Sequence, residues 1–287
     1  MGVSGSRFLP ALLVLTGVVS VQLGAGIADR MFGTVPPASV TTLRLWSAAL
    51  VLLLAGGRGA ARALMSILRD RQWRDAAVAA GFGVTLGVMN FAIYQAFARI
   101  PLGVAVTIEF LGPLVVSVAG SRHRRDLIWV TLGALGVVLL TGGVGQRLDL
   151  TGVLFGLLAG LCWALYILLS RASGQRFTGP AGLVLAMVVA AVVVTPAGLT
   201  GAHAGRMFRP GALAEGAAIG VLSSVVPYWL ELEVLRRIPA RVFGVWMSME
   251  PAVAALIGLI LLSQRLSPVE WLAIGCVMVA CAGAASR

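Results

Sequence analysis

The sequence has no lysine and few charged residues of any kind. Charged residues make up 11% of the 287 positions, against about 25% in soluble domains. Hydrophobic residues make up 59% and form long runs with few interruptions. This composition excludes a water-soluble globular domain and predicts an all-α integral membrane protein.

Cysteine and histidine are also scarce, with three and two residues. Cys162, Cys276 and Cys281 lie in apolar runs without the spacing of a metal site, and they do not identify a redox compartment. His123 and His203 lie on opposite sides of the predicted membrane, with no acidic cluster nearby. We therefore expect no metal, no cofactor and no catalytic residues, which leaves a lipid-modifying membrane enzyme as a remote alternative.

All 22 basic residues are arginine, and the net charge is +11. A basic chain can indicate a nucleic-acid-binding protein, but these arginines stand in short clusters between apolar runs and form no basic face. We expect no nucleic-acid partner and interpret the arginines as a signal of membrane topology.

Apolar runs long enough to cross a membrane recur along the whole chain. A spanning helix needs about 20 residues, and ten such runs follow one another with short connections. The first run resembles a signal peptide but continues to about residue 28, so we expect an uncleaved helix. The predicted spans are 8–28, 37–56, 76–98, 101–120, 127–144, 150–171, 180–200, 213–236, 239–262 and 268–285.

Several spans carry signals of a helix start. The segment SPVE, from Ser267 to Glu270, predicts a capping box with a proline in the first turn. Asp149 and the Pro36–Pro37 pair mark two further starts.

The sixth span carries a stripe of small residues, Gly152, Gly156 and Gly160, at four-residue spacing. Such a stripe lets another backbone approach closely. We predict that it packs against neighbouring helices of the same chain, and we expect a monomer or a weak homodimer.

Arginine is distributed unequally between the two sides of the membrane. The two termini and the 2–3, 4–5, 6–7 and 8–9 connections hold 15 arginines, whereas the other connections hold 6. Arg44 lies inside the second span. Because cytoplasmic loops are enriched in arginine, we predict that both termini are cytoplasmic.

Two segments share a frame at an offset of 138 residues: RIPLGVAVTIEFLGP (99–113) and RIPARVFGVWMSMEP (237–251). This offset is close to half the chain and divides the ten spans into five plus five. Because five is odd, the second copy crosses the membrane in the opposite sense. We therefore predict two inverted repeats, residues 1–145 and 146–287, around a central cavity. Inverted repeats are typical of transporters, with the substrate site near the membrane midplane.

Three of the glutamates within predicted spans are candidates for a functional site: Glu109, Glu231 and Glu250. An ionisable group inside a span costs at least about 2.5 kcal/mol. Glu109 stands four residues before Pro113, which cannot donate an amide to its carbonyl, so we expect a kink there. In repeat register, Glu250 lies one helical turn from the position of Glu109. Two such carboxylates disfavour each other's ionised form, so one of them can hold and release a proton. Glu231 lies on a polar face of the eighth span. A buried structural ion pair is the alternative for all three.

Other residues of the spans are candidates to line a cavity, and interhelical packing is the alternative for each. Trp246 stands four residues before Glu250 and is predicted to share its helix face. Arg44 can reach the membrane surface, neutralise a glutamate or bind a substrate carboxylate. Glu233 stands four residues before Arg237, which predicts an ion pair on the helix surface. The remaining candidates are Gln22, Asn90, Tyr94, Trp163 and Tyr228.

Three stretches carry a family resemblance: MNFAIYQAFARIPLGVAVTIEFLGPLVVSVAGSR (89–122), LDLTGVLFGLLAGLCWALYILLS (148–170) and SSVVPYWLELEVLRRIPARVFGVWMSMEPAVAALIG (223–258). Together with VSVQLGAGIA (19–28), they resemble the threonine/homoserine exporter branch of the drug/metabolite transporter superfamily, which is built from two EamA-type repeats. The resemblance covers nearly the whole chain. It implies a bacterial inner-membrane exporter of amino acids or similar metabolites, a cavity lined mainly by the third, fourth, eighth and ninth spans, and proton antiport.

The chain departs from this family pattern after the ninth span. An acidic LGE turn is replaced there by LSQ, with Gln264 in the place of the acid. The resulting prediction is a secondary active exporter that works by alternating access in the lipid membrane, with a small molecule and protons as its partners. A drug or nucleotide-sugar carrier, or an importer of the same fold, is the alternative.

Overall fold

A computed structural model describes residues 5–119, 127–142 and 148–286. These residues form helices joined by short turns, and no strand occurs among them. Nine of their helical stretches are long and apolar enough to cross a membrane, and the fifth predicted span contains a shorter apolar helix, Leu127–Leu140. The predicted all-α membrane fold is confirmed.

The helices follow the order of the predicted spans, and three spans are each built from two helices. A π-helical segment, Val221–Val225, joins the two helices of the eighth span. The helices α1 to α13 are, in order, Gly5–Met31, Pro37–Arg69, Trp73–Phe97, Leu102–Glu109, Leu111–Ala119, Leu127–Gly142, Leu150–Arg176, Ala181–Thr200, Pro210–Gly220, Val226–Leu235, Ala240–Met247, Glu250–Leu262 and Pro268–Ala285.

Helices α2 and α7 run five or more residues beyond the predicted ends of their spans. Helix α2 continues to Arg69 rather than ending near residue 56, and α7 continues to Arg176 rather than residue 171. Alanine, leucine, methionine and arginine, which are strong helix formers, dominate the extension RGAARALMSILR (58–69) of α2. Hydropathy predicts where the apolar run ends. The helix itself continues past that point, because residues of high helix propensity follow the run.

The fourth, eighth and ninth spans are interrupted, each near a proline. Helix α4 ends at Glu109, because Pro113 provides no amide for the carbonyl of that residue. Helix α11 ends at Met247, four residues before Pro251, and α12 begins at Glu250. The kink predicted beside Glu109 is confirmed.

The fourth and ninth spans have the same backbone at the offset of 138 residues. Helix α4 covers residues 102–109, and α11 covers 240–247. The residues that follow them, Phe110 and Ser248, have φ and ψ of −63° and −12° and of −62° and −11°. The internal similarity read from the two segments therefore extends to their helix boundaries and dihedral angles.

Helix packing follows the same pairing of spans. Helix α4 packs on α12 and α6 packs on α13, which pairs the fourth span with the ninth and the fifth with the tenth. Helix α7 contacts both helices of the fourth span, and α1 contacts both helices of the ninth. The sixth and first spans therefore support the interrupted helices.

The predicted helix starts at Asp149 and Ser267 are confirmed. The side chain of Asp149 accepts a hydrogen bond of 2.7 Å from the amide of Thr151. Glu270 accepts a hydrogen bond of 2.6 Å from the Ser267 amide and donates its own amide to the Ser267 hydroxyl oxygen at 3.3 Å. These bonds satisfy amides that a helix start leaves without an intrahelical partner.

The glycine stripe of α7 packs against the fourth span, as predicted. Gly156 faces Ile108 of α4, and Gly160 faces the backbone of Glu109. A Cβ atom at Gly112 of α5 would overlap the carbonyl oxygen of Gly160. Glycine on both helices therefore lets the broken fourth span lie directly on α7.

Gln264, which stands where the family pattern has an acid, caps α4. Its Oε1 accepts a hydrogen bond of 2.9 Å from the amide of Leu102, the first residue of α4. The preceding residue, Ser263, has φ of 55° and ψ of 26°, a left-handed conformation that favours glycine. The LSQ turn thus supplies a cap but lacks the glycine that its backbone conformation prefers.

We predict that Gln264→Ala lowers the free energy of unfolding by about 1 kcal/mol, because the Leu102 amide loses its acceptor. Gln264→Glu is expected to retain the wild-type stability or exceed it, since a carboxylate is favoured at a helix N-terminus. Thermal unfolding of the purified protein in detergent measures both variants. An unchanged Tm for Gln264→Ala would contradict the capping role.

Candidate functional site

Glutamates from the fourth, eighth and ninth spans interact inside the helix bundle. Glu109 ends α4, Glu231 lies in α10 and Glu250 begins α12. Electrostatic interactions link Glu250 both to Glu109 and to Glu231. Among the described residues, no arginine lies within 4.0 Å of any of the three carboxylates. The structure thus brings together the two acids predicted to be neighbours, and it adds the third.

Glu250 is 7% exposed, and one of its oxygens has a protein partner. Its Oε1 accepts a hydrogen bond of 2.9 Å from Nε2 of Gln22 in α1. Glu250 Oε2 and Gln22 Oε1 are both buried and have no hydrogen-bond partner in the described part of the chain. The pair therefore presents two unsatisfied oxygens, which act as acceptors when the carboxyl is ionised.

Glu109 is half-buried at the break in the fourth span. Besides Glu250, its electrostatic neighbours are Arg44 of α2 and Cys162 of α7. These neighbours place the carboxylate inside the bundle rather than against lipid. The close contact between Gly160 and the Glu109 backbone holds this end of α4 on α7.

Glu231 is half-buried beside a small cavity between α1, α10 and α11. The cavity has a volume of about 10 Å³, room for roughly one water molecule. Val14, Gly17 and Met247 line it together with Glu231. An amino acid does not fit there in this conformation, so passage of a substrate through this cavity requires the helices to move apart.

Pro227 explains the π-helical segment of the eighth span. It cannot donate an amide to the carbonyl of Ser223, four residues earlier, or of Leu222, five residues earlier. Ser20 of α1 donates its hydroxyl to the Leu222 carbonyl at 2.7 Å. Arg44 of α2 donates Nη2 to the Ser223 carbonyl at 3.2 Å. The first and second spans thus supply donors that the eighth span lacks.

Arg44 points into the bundle, so the interpretation that it reaches the membrane surface is wrong. Its Cζ lies 5.3 Å from the centroid of the Tyr94 ring. No ion pair of Arg44 occurs among the described residues, although Glu109 interacts with it at longer range. Tyr94 is fully buried beside Arg44 and Ser223, and its hydroxyl has no hydrogen-bond partner within the described ranges.

Two candidate residues make local contacts. Asn90 donates its side-chain amide to the carbonyl of Leu86 on its own helix at 2.8 Å. Trp163 of α7 packs edge-on against Phe110, with 4.8 Å between the ring centroids. Trp163 therefore covers the break in the fourth span, which is the packing alternative considered for it.

Trp246 lies in an apolar cluster with Val14 and Val18 of α1. Helix α11 ends at Met247 and α12 begins at Glu250, so no continuous helix joins Trp246 to Glu250. The prediction that these two residues share a helix face is therefore wrong. The prediction assumed regular helical spacing across the break. Tyr228 lies in α10, and its side chain is outside the described part of the structure.

Ser223 and Gly24 lie beside the polar side chains Arg44 and Tyr94 or pack on their neighbours, and neither of them was predicted from the sequence. A Cβ atom at Gly24 of α1 would overlap Ser223 Oγ, so the first span lies directly on the π-helical segment. The available signal was Pro227, four residues after Ser223. The polar face predicted for Glu231 assumed one regular α-helix, whereas the π-helical segment Val221–Val225 changes the helical spacing within this span.

Glu233 forms the surface ion pair that was predicted for it. It accepts a hydrogen bond of 3.0 Å from Nε of Arg237 and a second from Nη2. The hydrogen bond and charge of Arg237 hold the pKa of the Glu233 carboxyl below its usual range. Glu233 is therefore a comparison acid on the same helix as Glu231 but outside the buried cluster.

Polar side chains of six spans converge inside the bundle where its helices are interrupted. The third, fourth, eighth and ninth spans contribute, as the family resemblance implies, and the first and second add Gln22 and Arg44. Buried ionisable groups at interrupted helices are typical of substrate and ion pathways. This fold and cluster define a multi-pass membrane transporter.

Known proteins resemble the chain over almost its full length. The EamA-like transporter family matches residues 150–286. The threonine/homoserine exporter RhtA of Escherichia coli (strain K12) is 37% identical over 280 residues, which cover 96% of this chain and 91% of that protein. The chain belongs to the EamA-like transporter family, within the drug/metabolite transporter superfamily, and the predicted resemblance is confirmed.

More distant similarities agree with this family. The uncharacterized inner membrane transporter YedA of Escherichia coli (strain K12) is 25% identical over 206 residues, 68% of this chain and 64% of that protein. A solved crystal structure superposes with a TM-score of 0.61 at 18% identity and covers 95% of each chain. At this identity the crystal structure supports the fold alone.

We predict that Gly24→Ala destabilises the protein by about 1–3 kcal/mol, because the added methyl group displaces Ser223 from α1. Gly275→Ala in α13 is the matched control, since a Cβ atom there has no neighbour within 4 Å. Thermal unfolding of the purified variants measures the difference. Equal Tm values for the two variants would show that the contact between α1 and the π-helical segment is not tight.

Proposed function

We propose that this protein exports amino acids of the threonine/homoserine type, or closely related small metabolites, by proton antiport and alternating access. The 37% identity with RhtA over 96% of the chain supports the substrate class. The observation that carries the mechanism is the group of three glutamates inside the spans, each without an arginine partner among the described residues.

Two inverted repeats, residues 1–145 and 146–287, rock about this cluster in the proposed cycle. The recurrence of helix bounds between α4 and α11, at 102–109 and 240–247, supports the division. The break in each of these spans provides a point of bending beside a glutamate. Bending there can expose the cluster to one side of the membrane at a time.

The proposed location is the bacterial inner membrane, with both termini in the cytoplasm. The excess of arginine on one side supports this orientation, and the extension of α2 carries Arg58, Arg62 and Arg69 on that side. A monomer is sufficient for the proposed cycle, because the glycine stripe of α7 is covered by the fourth span of the same chain.

The three carboxylates provide the proposed proton site. Glu250 interacts electrostatically with Glu109 and with Glu231, and carboxylates that lie close together disfavour simultaneous ionisation. A proton on one of them relieves this repulsion. Loss of that proton to the cytoplasm and uptake from the other side would couple export to the proton gradient.

The substrate class is tested by growth and efflux. Cells that overproduce the protein are expected to grow in concentrations of threonine and homoserine that inhibit control cells, because export lowers the internal concentration. Loaded cells should also release labelled threonine faster than cells without the protein. Release at the same rate in both would exclude threonine, and a panel of other amino acids would then test the wider class.

We predict that Glu109→Gln and Glu250→Gln lower proton-driven efflux by about tenfold or more, because glutamine cannot carry the proton. Reconstituted vesicles with an imposed pH gradient measure this rate. Counterflow without a gradient measures whether each variant still moves substrate.

Glu233→Gln is the matched control for these variants, since its carboxylate lies on the helix surface with Arg237. It is expected to transport at the wild-type rate. Full proton-driven efflux in both Glu109→Gln and Glu250→Gln would exclude them as the coupling groups.

A further inference from the structure

Three polar side chains of α2, α3 and the π-helical segment have buried atoms without hydrogen-bond partners. The atoms are Nε of Arg44, the hydroxyl of Tyr94 and Oγ of Ser223, and none has a partner among the described residues. Tyr94 is 0% exposed and Ser223 is 7% exposed. Buried polar groups are nearly always paired in native proteins, so three unpaired groups at one place need an explanation.

These side chains form one group in space. The guanidinium of Arg44 lies over the Tyr94 ring at 5.3 Å and donates to the Ser223 carbonyl at 3.2 Å. The Tyr94 hydroxyl lies close to both Arg44 and Ser223 without the geometry of a hydrogen bond. Gly24 of α1 packs against Ser223 Oγ from the other side.

The group can donate hydrogen bonds and carries a positive charge. A guanidinium only donates, and the two hydroxyls are free to donate because neither has a partner in the described structure. No carboxylate lies within 4.0 Å of Arg44 among the residues described. A carboxylate, with two acceptor oxygens and one negative charge, matches this set.

Buried acceptor atoms without partners occur among the described residues of α1 and at the start of α12. Gln22 Oε1 and Glu250 Oε2 are buried acceptors without partners in the described ranges. An ammonium group, with three donors and a positive charge, matches acceptors of this kind.

We propose that Arg44, Tyr94 and Ser223 bind the carboxylate of the transported molecule. This inference rests on the proposed function as an amino-acid exporter and specifies how the substrate is held. The second and third spans and the interrupted eighth span would then meet on the same functional group of the substrate.

Threonine and threoninamide differ at the carboxylate alone, so they test this assignment directly. Wild-type protein in vesicles is expected to bind and transport L-threonine in preference to L-threoninamide. Arg44→Gln should weaken L-threonine binding by about 10- to 100-fold, because a charge-assisted hydrogen-bond donor is lost. Binding of L-threoninamide should change little, so the preference for the acid collapses.

Removal of the two hydroxyls separates a binding role from a structural role. Tyr94→Phe and Ser223→Ala break no hydrogen bond of these hydroxyls in the structure, so we expect an equal or higher Tm. Each should weaken L-threonine binding by about three- to tenfold without affecting L-threoninamide. The matched control is Ser39→Ala, because Ser39 donates a hydrogen bond of 2.6 Å to the Gly198 carbonyl. It should lower Tm and leave the preference unchanged.

The outcomes are distinguishable. A folded Arg44→Gln protein that keeps the wild-type preference overturns the proposal, and the two hydroxyl variants decide the matter if Arg44→Gln does not fold. If wild-type protein binds neither compound, the proposed substrate class fails. Thermal-shift measurements with other carboxylic acids and their amides then test the site. If the protein prefers no acid over its amide in an Arg44-dependent way, the proposal is overturned.

Discussion

A backbone carbonyl inside a membrane needs a hydrogen-bond donor, and three prolines of this chain each withhold one within a span. Pro113 and Pro251 leave the carbonyls of Glu109 and Met247 without an α-helical donor, and the helices end at those residues. Pro227 does the same in the eighth span, where side chains of the first and second spans donate instead. Irregular backbone at membrane depth is tolerated where it is buried in protein, and the polar cluster lies at these positions.

The two halves of the chain repeat the backbone of the interrupted span but not its chemistry. At the offset of 138 residues, Glu109 corresponds to Met247, Glu231 to Ile93 and Glu250 to Gly112. Gly112 has to be glycine because it packs directly on the Gly160 carbonyl, so no acid can occupy that place in the first half. Each glutamate therefore has no acidic counterpart in the other half of the chain, and the group of three acids is asymmetric.

Membrane class, helix starts and the family follow from local features of the sequence. Hydropathy identified the spans, and the caps at Asp149 and Ser267 were predicted correctly because a cap involves residues only two or three positions apart. The break at Glu109 was predictable for the same reason, since a proline acts on the carbonyl four residues earlier. The ion pair of Glu233 likewise depends on a neighbour one helical turn away.

Which of the polar side chains meet depends on the packing of the whole bundle. From the sequence alone, Gln22, Arg44 and Glu250 are polar groups within apolar spans, and three interpretations of Arg44 stay open. Gln22 and Glu250 are 228 residues apart, and their hydrogen bond depends on how α1 and α12 are rotated against each other. The π-helical segment changes such a rotation within the eighth span, which is why Ser223 was missed. The rotation of each helix depends on packing among all the spans. Caps and helix breaks, in contrast, depend on hydrogen bonds within a single segment, and the position of a span depends on the hydropathy of that segment.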